Sequence, residues 1–233
     1  MLEIMSLSGG WGSTTIVEDL SLTVGTGEAV AIVGRNGVGK STLLEIITGR
    51  ARRSGGTIRL ANKDISHQPT KYRAKMGLGY VPQSREVFPS LTVREHIAVS
   101  ARPGQWSEDR LLGLFPPLAR RLHSLGGQLS GGEQQMLAIA RALSANPKML
   151  LMDEPSEGLA PVVVEQLIEA MKTMAKAGSL AILLVEQRID LALELSTRCV
   201  VMDRGRLVHQ GASIELAEDE ERLGRLLGLG GNV

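Results

Sequence analysis

Three short apolar runs in the chain are typical of strands that are buried on both faces of a sheet. They are residues 29–33 (Ala-Val-Ala-Ile-Val), 149–152 (Met-Leu-Leu-Met) and 181–185 (Ala-Ile-Leu-Leu-Val), and such continuous runs suit a parallel sheet. Residues 20–24 instead alternate apolar and polar side chains before a turn at residues 25–27, as a half-buried strand does. We therefore predict an α/β fold with a parallel-sheet core.

Helical periodicity fills much of the remaining sequence. Residues 129–143 place apolar side chains three and four positions apart after a polar start, which predicts a helix that begins near Ser130. Residues 162–174 show the same spacing, with Pro161 in the first turn. Between Arg85 and Ala145 the strand signal largely disappears and helical pattern dominates. We expect a helical unit at approximately residues 86–147, inserted into the α/β core.

The last part of the chain predicts a hairpin followed by a helix. An apolar stretch turns back on itself at Arg204 and Gly205, and a helix is expected from Ser213 to about Leu227, with frayed residues at 228–233. Internal repeats and low-complexity linkers are absent from the sequence. We therefore expect a single domain over residues 2–233.

The charge balance narrows the classes of partner. Lys and Arg number 26 and Asp and Glu 25 in 233 residues, for a formal net charge of +1. A binder of nucleic acid gains affinity by releasing counterions from a basic face, and this chain has no surplus of basic residues to form one. Aromatic residues make up only 3%, too few for a base-stacking platform. We therefore expect no nucleic-acid partner.

The length of the apolar runs and the single cysteine indicate in which cellular compartment the chain is expected. The longest apolar runs, such as residues 180–185, are far below the ~18–20 residues of a membrane-spanning helix. The N-terminal residues lack the basic and apolar regions of a signal peptide. The single cysteine, Cys199, excludes an internal disulfide and is typical of a reducing compartment.

A glycine-rich loop follows the first apolar run and opens a helical pattern. Its glycines are spaced as in a phosphate-binding loop, where backbone N–H groups face the phosphates of a nucleotide. Lys40 would reach the β- and γ-phosphates, and the Ser41 hydroxyl would ligate Mg²⁺. A plain turn between strand and helix is the alternative. The candidate ATP-binding residues here are Gly34, Arg35, Asn36, Gly37, Val38, Gly39, Lys40, Ser41 and Thr42.

Two adjacent carboxylates end the second apolar run. Asp153 at a strand end is placed to hold the Mg²⁺ shell, and Glu154 in the following turn could polarise an attacking water. Alone, an Asp-Glu-Pro sequence is often only a solvated turn. Its position downstream of a phosphate-binding loop favours the catalytic interpretation.

Residues 129–135 (Leu-Ser-Gly-Gly-Glu-Gln-Gln) form a third motif, the signature segment. With this segment the chain resembles the ATP-binding cassette (ABC) ATPases. The resemblance implies a P-loop NTPase fold with a RecA-like parallel-sheet core, an N-terminal antiparallel β-subdomain and an inserted α-helical subdomain. It also implies that the signature segment completes the ATP site of a second cassette, with Ser130, Gly131, Gly132 and Glu133 as the binding residues.

Other positions match the family individually. Gln83 resembles the glutamine that contacts Mg²⁺ and joins the core to the helical unit. Trp11 stands where the family usually stacks a Tyr on adenine, although it could instead belong to the core. Ala160 occupies a position where many members have Asp, which weakens the expectation of a cross-dimer contact there.

The most informative departure from the family is Gln187, because most cassettes have a His at this position. A glutamine can donate a hydrogen bond to phosphate but cannot shuttle a proton. The catalytic residues implied are therefore Glu154 as the base and Gln187 as a phosphate contact.

Sequence details around Gln187 and residues 156–161 resemble the cassettes of branched-chain amino acid importers. The similar urea and short-chain amide importers are the alternative, and an iron–sulfur assembly ATPase is a more distant one. The implied partners are a second cassette, either a copy or a sister subunit, two transmembrane permease subunits and, indirectly, a solute-binding protein. The implied location is peripheral, at the cytoplasmic face of the plasma membrane, with a soluble isolated chain. Residues 88–91 are expected either to contact the permease or to pack inside the helical unit.

Overall fold

The computed structural model describes residues 1–219 together with Glu221 and Gly224. Within these residues the chain forms ten strands and nine α-helices. In chain order they are β1 (Leu2–Trp11), β2 (Thr14–Val24), β3 (Ala29–Val33), α1 (Lys40–Thr48), β4 (Arg52–Leu60), β5 (Lys63–Asp64), α2 (Thr70–Lys75), β6 (Leu78–Val81), α3 (Val93–Ser100), α4 (Glu108–Leu114), α5 (Pro116–Arg120), α6 (Gly131–Ser144), β7 (Met149–Asp153), α7 (Pro161–Lys176), β8 (Ala181–Val185), α8 (Ile189–Leu195), β9 (Arg198–Asp203), β10 (Arg206–Ala212) and α9 (Ser213–Glu218).

The core sheet has six strands among the described residues, in the order β10-β9-β3-β8-β7-β6. All neighbours from β9 to β6 are parallel, and β10 pairs antiparallel with β9. The three apolar runs form β3, β8 and β7 side by side, and every residue of these strands is buried. The predicted RecA-like parallel core is therefore confirmed.

A second, antiparallel sheet in the described chain has the order β2-β1-β4-β5, as the family resemblance implied. Only the last residues of β2 were predicted from the pattern. Strand β4 begins Arg-Arg-Ser-Gly-Gly, a composition that carries no strand signal, and it is held by its pairing with β1. Long-range pairing has here outweighed the low local preference for a strand.

Apolar side chains form layers on both faces of the core sheet. One cluster fills the space between the two sheets and includes Leu43, Leu44 and Ile47 of α1. A second cluster lies on the opposite face, where α6 and α7 pack on β7 and β8. The core sheet is thus covered on both faces, as its continuous apolar strands require.

The segment between β6 and β7 is helical, with α3, α4, α5 and α6 and a short 3₁₀ turn at Gly126–Gln128. Trp106 and Phe115 are fully buried in it and join the cluster that continues under the core sheet. The helical insertion of the predicted fold is therefore present, while its exact limits at residues 86–147 stay a prediction.

The end of the chain follows the predicted order of hairpin and helix. Strands β9 and β10 turn at Arg204 and Gly205, and α9 begins at Ser213. Most of the remaining predicted helix, to Leu227, lies outside the described residues, as do the residues 228–233 that were expected to fray. Across the part of the chain that is described, no helix is both long and apolar enough to cross a bilayer.

Candidate nucleotide-binding and catalytic site

The predicted phosphate-binding loop connects the end of β3 to the start of α1. Gly39 precedes the helix with a φ of 105°, a left-handed backbone that favours glycine. A Cβ at Gly39 would lie 3.0 Å from Ile16 Cγ2, so β2 packs against the loop. Because Gly39 has no side chain to cap the helix, the first amides of α1 remain available to an anion. Arg35, Asn36 and Gly37 are exposed.

Lys40 is buried inside this loop. Its Nζ donates hydrogen bonds to the carbonyl oxygens of Gly34, at 2.8 Å, and Arg35, at 3.1 Å. The same Nζ lies 3.7 Å from Oε1 of Glu154. The ammonium is therefore held between the loop and the carboxylate that sequence analysis assigned to catalysis. Gly34, Val38, Ser41 and Thr42 are half-buried around it.

Ser41 and Asp153 come together across the sheet edge, as their motifs predict. The Ser41 hydroxyl donates to Oδ1 of Asp153 at 2.9 Å. Burial raises the pKa of Asp153 to about 6, against the Ser41 hydrogen bond, which lowers it. A hydroxyl and a carboxylate oxygen are ligands that Mg²⁺ accepts beside water and phosphate oxygens. This pair of donors fits the predicted ion.

Glu154 lies in the turn after β7 with a φ of 47°, a left-handed backbone that costs free energy in a residue other than glycine. Its amide donates to the Val185 carbonyl oxygen at 2.8 Å. Its Oε2 accepts hydrogen bonds from Nε2 of Gln83 and Nε2 of Gln187. Three loops thus meet at one buried carboxylate, and the two glutamines fix its orientation.

Gln83 also links this carboxylate to a residue that sequence analysis did not select. Its Nε2 donates to the carboxylate of Glu157 as well as to that of Glu154. Nearby, Arg85 donates from Nε to Oε1 of Gln135 at 3.2 Å, and from Nη2 to the Glu157 carbonyl oxygen at 3.5 Å. Arg85 therefore bridges the loop after Glu154 to helix α6.

The signature segment forms the N-terminus of α6. Ser130 is the N-cap: its Oγ accepts from the Glu133 amide at 3.3 Å, while the Glu133 carboxylate accepts from the Ser130 amide at 2.8 Å. A Cβ at Gly131 would lie 3.0 Å from Arg85 Nη1, and one at Gly132 would lie 2.7 Å from Val163 Cγ1. Ser130 and Gly131 are exposed, which is compatible with the predicted contact to a second cassette.

Trp11 ends β1 at the hairpin that leads into β2. Its side chain is 46% exposed, so the alternative that it belongs to the core is wrong. The other tryptophan, Trp106, is the buried one. The hairpin continues into Ile16, which packs on the phosphate-binding loop.

Glu186 is a second residue that sequence analysis did not select. It follows β8 directly, precedes Gln187 and is buried. A carboxylate at the end of a fully apolar strand, next to a candidate catalytic residue, was the available signal.

Within the described residues, groups of three or more His, Cys, Asp or Glu that could hold a metal ion are absent. A metal at Ser41 and Asp153 would therefore need further ligands, from Gln83, substrate and water.

The sequence resembles known transporter subunits. Residues 17–157 match the family described as "ABC transporter". The chain is 39% identical over 213 residues to the high-affinity branched-chain amino acid transport ATP-binding protein BraG of Pseudomonas aeruginosa, covering 89% of this chain and 91% of the relative. It is 36% identical over 226 residues to the probable branched-chain amino acid transport ATP-binding protein LivF of Archaeoglobus fulgidus, covering 95% and 96%. Identity to the lipopolysaccharide export system ATP-binding protein LptB of Escherichia coli is 33%, covering 94% and 93%.

Solved structures of similar fold are also ATP-binding cassettes of ABC transporters. An ATP-binding subunit of an ABC transporter superposes with a TM-score of 0.79 at 30% identity, covering 98% of this chain and 95% of that one. A dimeric ATP-binding cassette in a post-hydrolysis state, bound to ADP and Pi, has a TM-score of 0.79 at 25% identity, covering 91% and 99%.

Proposed function

The chain belongs to the ABC transporter family of ATP-hydrolysing subunits, and we propose that it energises the import of branched-chain amino acids. The observation that carries the solute class is the 39% identity to BraG across nearly the full length of both chains. The sequence Val185-Glu186-Gln187, which resembles branched-chain amino acid cassettes, supports the same choice. The urea and short-chain amide importers remain the alternative.

We assign ATP binding to the loop between β3 and α1. Its amides and the N-terminus of α1 would receive the phosphates, because both present N–H groups with the favourable end of the helix dipole. The ammonium of Lys40 has loop carbonyls and Glu154 as its neighbours, and it would exchange these for phosphate oxygens. Trp11 is exposed at the hairpin whose next strand packs on this loop through Ile16, and we assign adenine stacking to it.

Ser41 and Asp153 would hold Mg²⁺, with Gln83 as a further ligand. The ion supplies neutralisation of phosphate charge. In this structure the amide nitrogen of Gln83 faces Glu154 and Glu157. A ligand role needs its oxygen, so Gln83 would have to turn its amide when the nucleotide binds.

Glu154 is the base in the proposed reaction. Water attacks the γ-phosphorus, the bond from that phosphorus to the β-phosphate oxygen breaks, and the proton of the water passes to the Glu154 carboxylate. Gln187 orients this carboxylate through its Nε2 and cannot itself accept the proton. Before the nucleotide binds, Gln83 donates to the same carboxylate from a second loop.

ABC cassettes dimerise and work with transmembrane permease subunits. We propose that Ser130, Gly131, Gly132 and Glu133 complete the ATP site of the second cassette, because they present an exposed helix N-terminus. The chain would lie at the cytoplasmic face of the inner membrane, with a solute-binding protein acting on the permease from the other side.

A groove of about 320 Å³ is the proposed permease contact. It is lined by Arg50, Tyr80, Glu86, Phe88 and Arg141, among others, and Phe88 is 52% exposed. An exposed aromatic side chain beside charged groups is typical of a contact surface for another chain.

The decisive experiment is to purify the complex from native membranes through this chain. We expect two permease subunits and a second cassette to co-purify, and leucine, isoleucine or valine with the matching binding protein to stimulate ATP turnover. Stimulation by urea or amides instead would establish the alternative. Recovery of lipopolysaccharide-export subunits, or of an iron–sulfur assembly complex without membrane subunits, would overturn the proposal.

A further inference from the structure

Glu186 is a buried carboxylate to which the proposed reaction gives no role. Its side chain is 2% exposed, and its backbone amide donates to the Ile32 carbonyl oxygen of β3 at 3.1 Å. The residue is therefore fixed to the core sheet. Burying a carboxylate is costly unless hydrogen bonds compensate, so its partners indicate what it does.

The two carboxylate oxygens of Glu186 bind two different loops. Oε1 accepts from the backbone amide of Ser156 at 3.2 Å, and Oε2 accepts from the backbone amide of Gln187 at 3.2 Å. The Ser156 side chain and the Arg188 amide also hydrogen-bond to it. Burial raises the pKa of Glu186, while all these hydrogen bonds act to lower it.

One of these loops carries Glu154 and the other carries Gln187, and the two side chains are joined by a hydrogen bond. Ser156 lies in the turn in which the Glu157 amide donates to the Glu154 carbonyl oxygen at 3.1 Å, so this turn sets the left-handed backbone of Glu154. Gln187 donates from Nε2 to Oε2 of Glu154. Glu154, Ser156, Glu186 and Gln187 all line one cavity of about 270 Å³.

We propose that Glu186 is a positioning residue for ATP hydrolysis. It accepts hydrogen bonds from the backbone amides of Ser156 and Gln187, and so keeps the side chains of Glu154 and Gln187 within hydrogen-bond distance of each other. The inference rests on the proposed role of Glu154 as base. The hydrogen bonds of Glu186 described above go to backbone amides and the Ser156 side chain, and not to the side chains of Glu154 and Gln187. Glu186 acts through two backbone amides, and its effect belongs to the chemical step and not to nucleotide binding.

A substitution of the same size tests this role. Glu186→Gln keeps one acceptor oxygen but places an NH₂ group, which is a donor, opposite one of the two backbone amides. The hydrogen bond to either Ser156 or Gln187 is therefore lost. We expect kcat for ATP hydrolysis to fall about 10- to 100-fold, because small misplacements of catalytic groups cost this much. We expect KM for ATP to change less than about twofold, since binding groups are untouched. The assay uses the full-length chain with its co-purifying subunits.

The matched control is Glu194→Gln, the next glutamate along the same segment. Glu194 is exposed on α8 and pairs with Lys172 at 2.9 Å. We expect wild-type kcat and KM from this variant. A Glu186→Gln variant with wild-type kcat, or with a rise in KM as its main effect, would overturn the proposal.

A double-mutant cycle separates positioning from a general structural effect. If Glu186 acts partly through Gln187, Glu186→Gln combined with Gln187→Ala should lose less kcat than the product of the single losses, by at least about threefold. Losses that simply multiply would contradict the proposal. Glu186→Asp, which keeps both acceptor oxygens on a shorter side chain, replaces Glu186→Gln if the latter does not fold, and the same split between kcat and KM is required of it.

Glu154→Gln is measured in the same series, so that the two proposals fail separately. Wild-type turnover of Glu154→Gln would remove the base assignment. Loss of turnover in Glu154→Gln beside full turnover in Glu186→Gln would remove only the positioning role.

Discussion

The ammonium of Lys40 lies 3.7 Å from the carboxylate of Glu154, and both side chains are almost completely buried. Lys40 begins α1 after β3, whereas Glu154 follows β7, and β8 separates these two strands in the sheet. The carboxyl ends of parallel strands share one edge of a sheet, which is where such folds place their ligand sites. A phosphate group entering beside Lys40 would thus arrive next to the proposed base.

Replacing Glu154 by Gln should separate hydrolysis from binding. An amide cannot accept the proton of the attacking water, so turnover should fall about 10²- to 10⁴-fold. Lys40 and the loop amides are unchanged, so ATP should still bind and hold the cassette dimer closed. Turnover is measured by phosphate release, and bound ATP by the nucleotide retained on the purified dimer.

The control for this variant is Glu165→Gln on the exposed face of α7. It should keep wild-type turnover, because Glu165 lies outside the catalytic contacts described here. Phosphate release by Glu154→Gln at the rate of this control would contradict the assignment of Glu154 as the base.

Trp11→Ala should weaken ATP binding. Stacking of a base on an aromatic side chain contributes about 1–3 kcal/mol, so we expect a loss of affinity of about tenfold, whereas Trp11→Tyr should stay close to wild type. Titration of a fluorescent ATP analogue measures both. Unchanged affinity in Trp11→Ala would show that adenine binds elsewhere. The buried Trp106 can be replaced by Phe so that tryptophan emission reports on Trp11 alone.

The two glycines of the signature segment should respond differently to alanine. At Gly132 a Cβ would meet Val163 Cγ1 at 2.7 Å, while at Gly131 it would meet only the flexible end of Arg85 at 3.0 Å. Gly132→Ala should therefore lower the free energy of unfolding by about 1–3 kcal/mol through overpacking, and Gly131→Ala should not. Urea unfolding gives both values.

Adding Val163→Ala to Gly132→Ala makes room for the new methyl group. We expect this double variant to recover most of the lost stability. Equal destabilisation by the two glycine substitutions would contradict the packing described between α6 and α7.

Stability should fall in mild acid because of His96. Its ring is fully buried, its Nε2 accepts from the Phe88 amide at 2.9 Å, and its Nδ1 bonds the Thr92 carbonyl oxygen at 2.8 Å. Burial lowers the pKa of His96 below 6.5, against Thr92 and Glu95, which raise it; Arg141 lowers it further. The unfolded chain therefore takes up the proton first, and this contribution to stability, complete above pH 6.5, is lost as pH falls toward the folded pKa.

The comparison variant is His96→Gln, which cannot gain a proton. Urea unfolding at pH 8, 7, 6 and 5 should show a steeper loss of stability in the wild-type chain than in His96→Gln. Parallel curves would show that protonation of His96 is not coupled to unfolding.

Features that depend on neighbouring residues in the sequence were predictable. The loop from Gly34 to Ser41 and the Asp153–Glu154 pair each follow an apolar strand, so their positions at the sheet edge follow from local pattern and parallel topology. Helix α6 begins where its capping residues, Ser130 and Glu133, indicate.

Contacts between distant segments were not predictable in the same way. Gln83 and Glu157 are 74 residues apart, and Ser156 and Glu186 are 30 apart. Each pair meets only because parallel strands bring separate loops to one edge. Nothing in the composition of Ser-Glu-Gly after Pro155 distinguishes a solvated turn from one held by a buried carboxylate.

The location of Ser130, in a helix cap whose described partners are Glu133 and its own helix, has a genetic consequence. If Ser130 serves the ATP bound to the second cassette, a lesion at Lys40 and a lesion at Ser130 in the same chain disable different sites. A chain that carries both lesions would be dominant, because it disables both ATP sites of the dimer even when its partner is intact. The same two lesions distributed between two copies would leave one complete site.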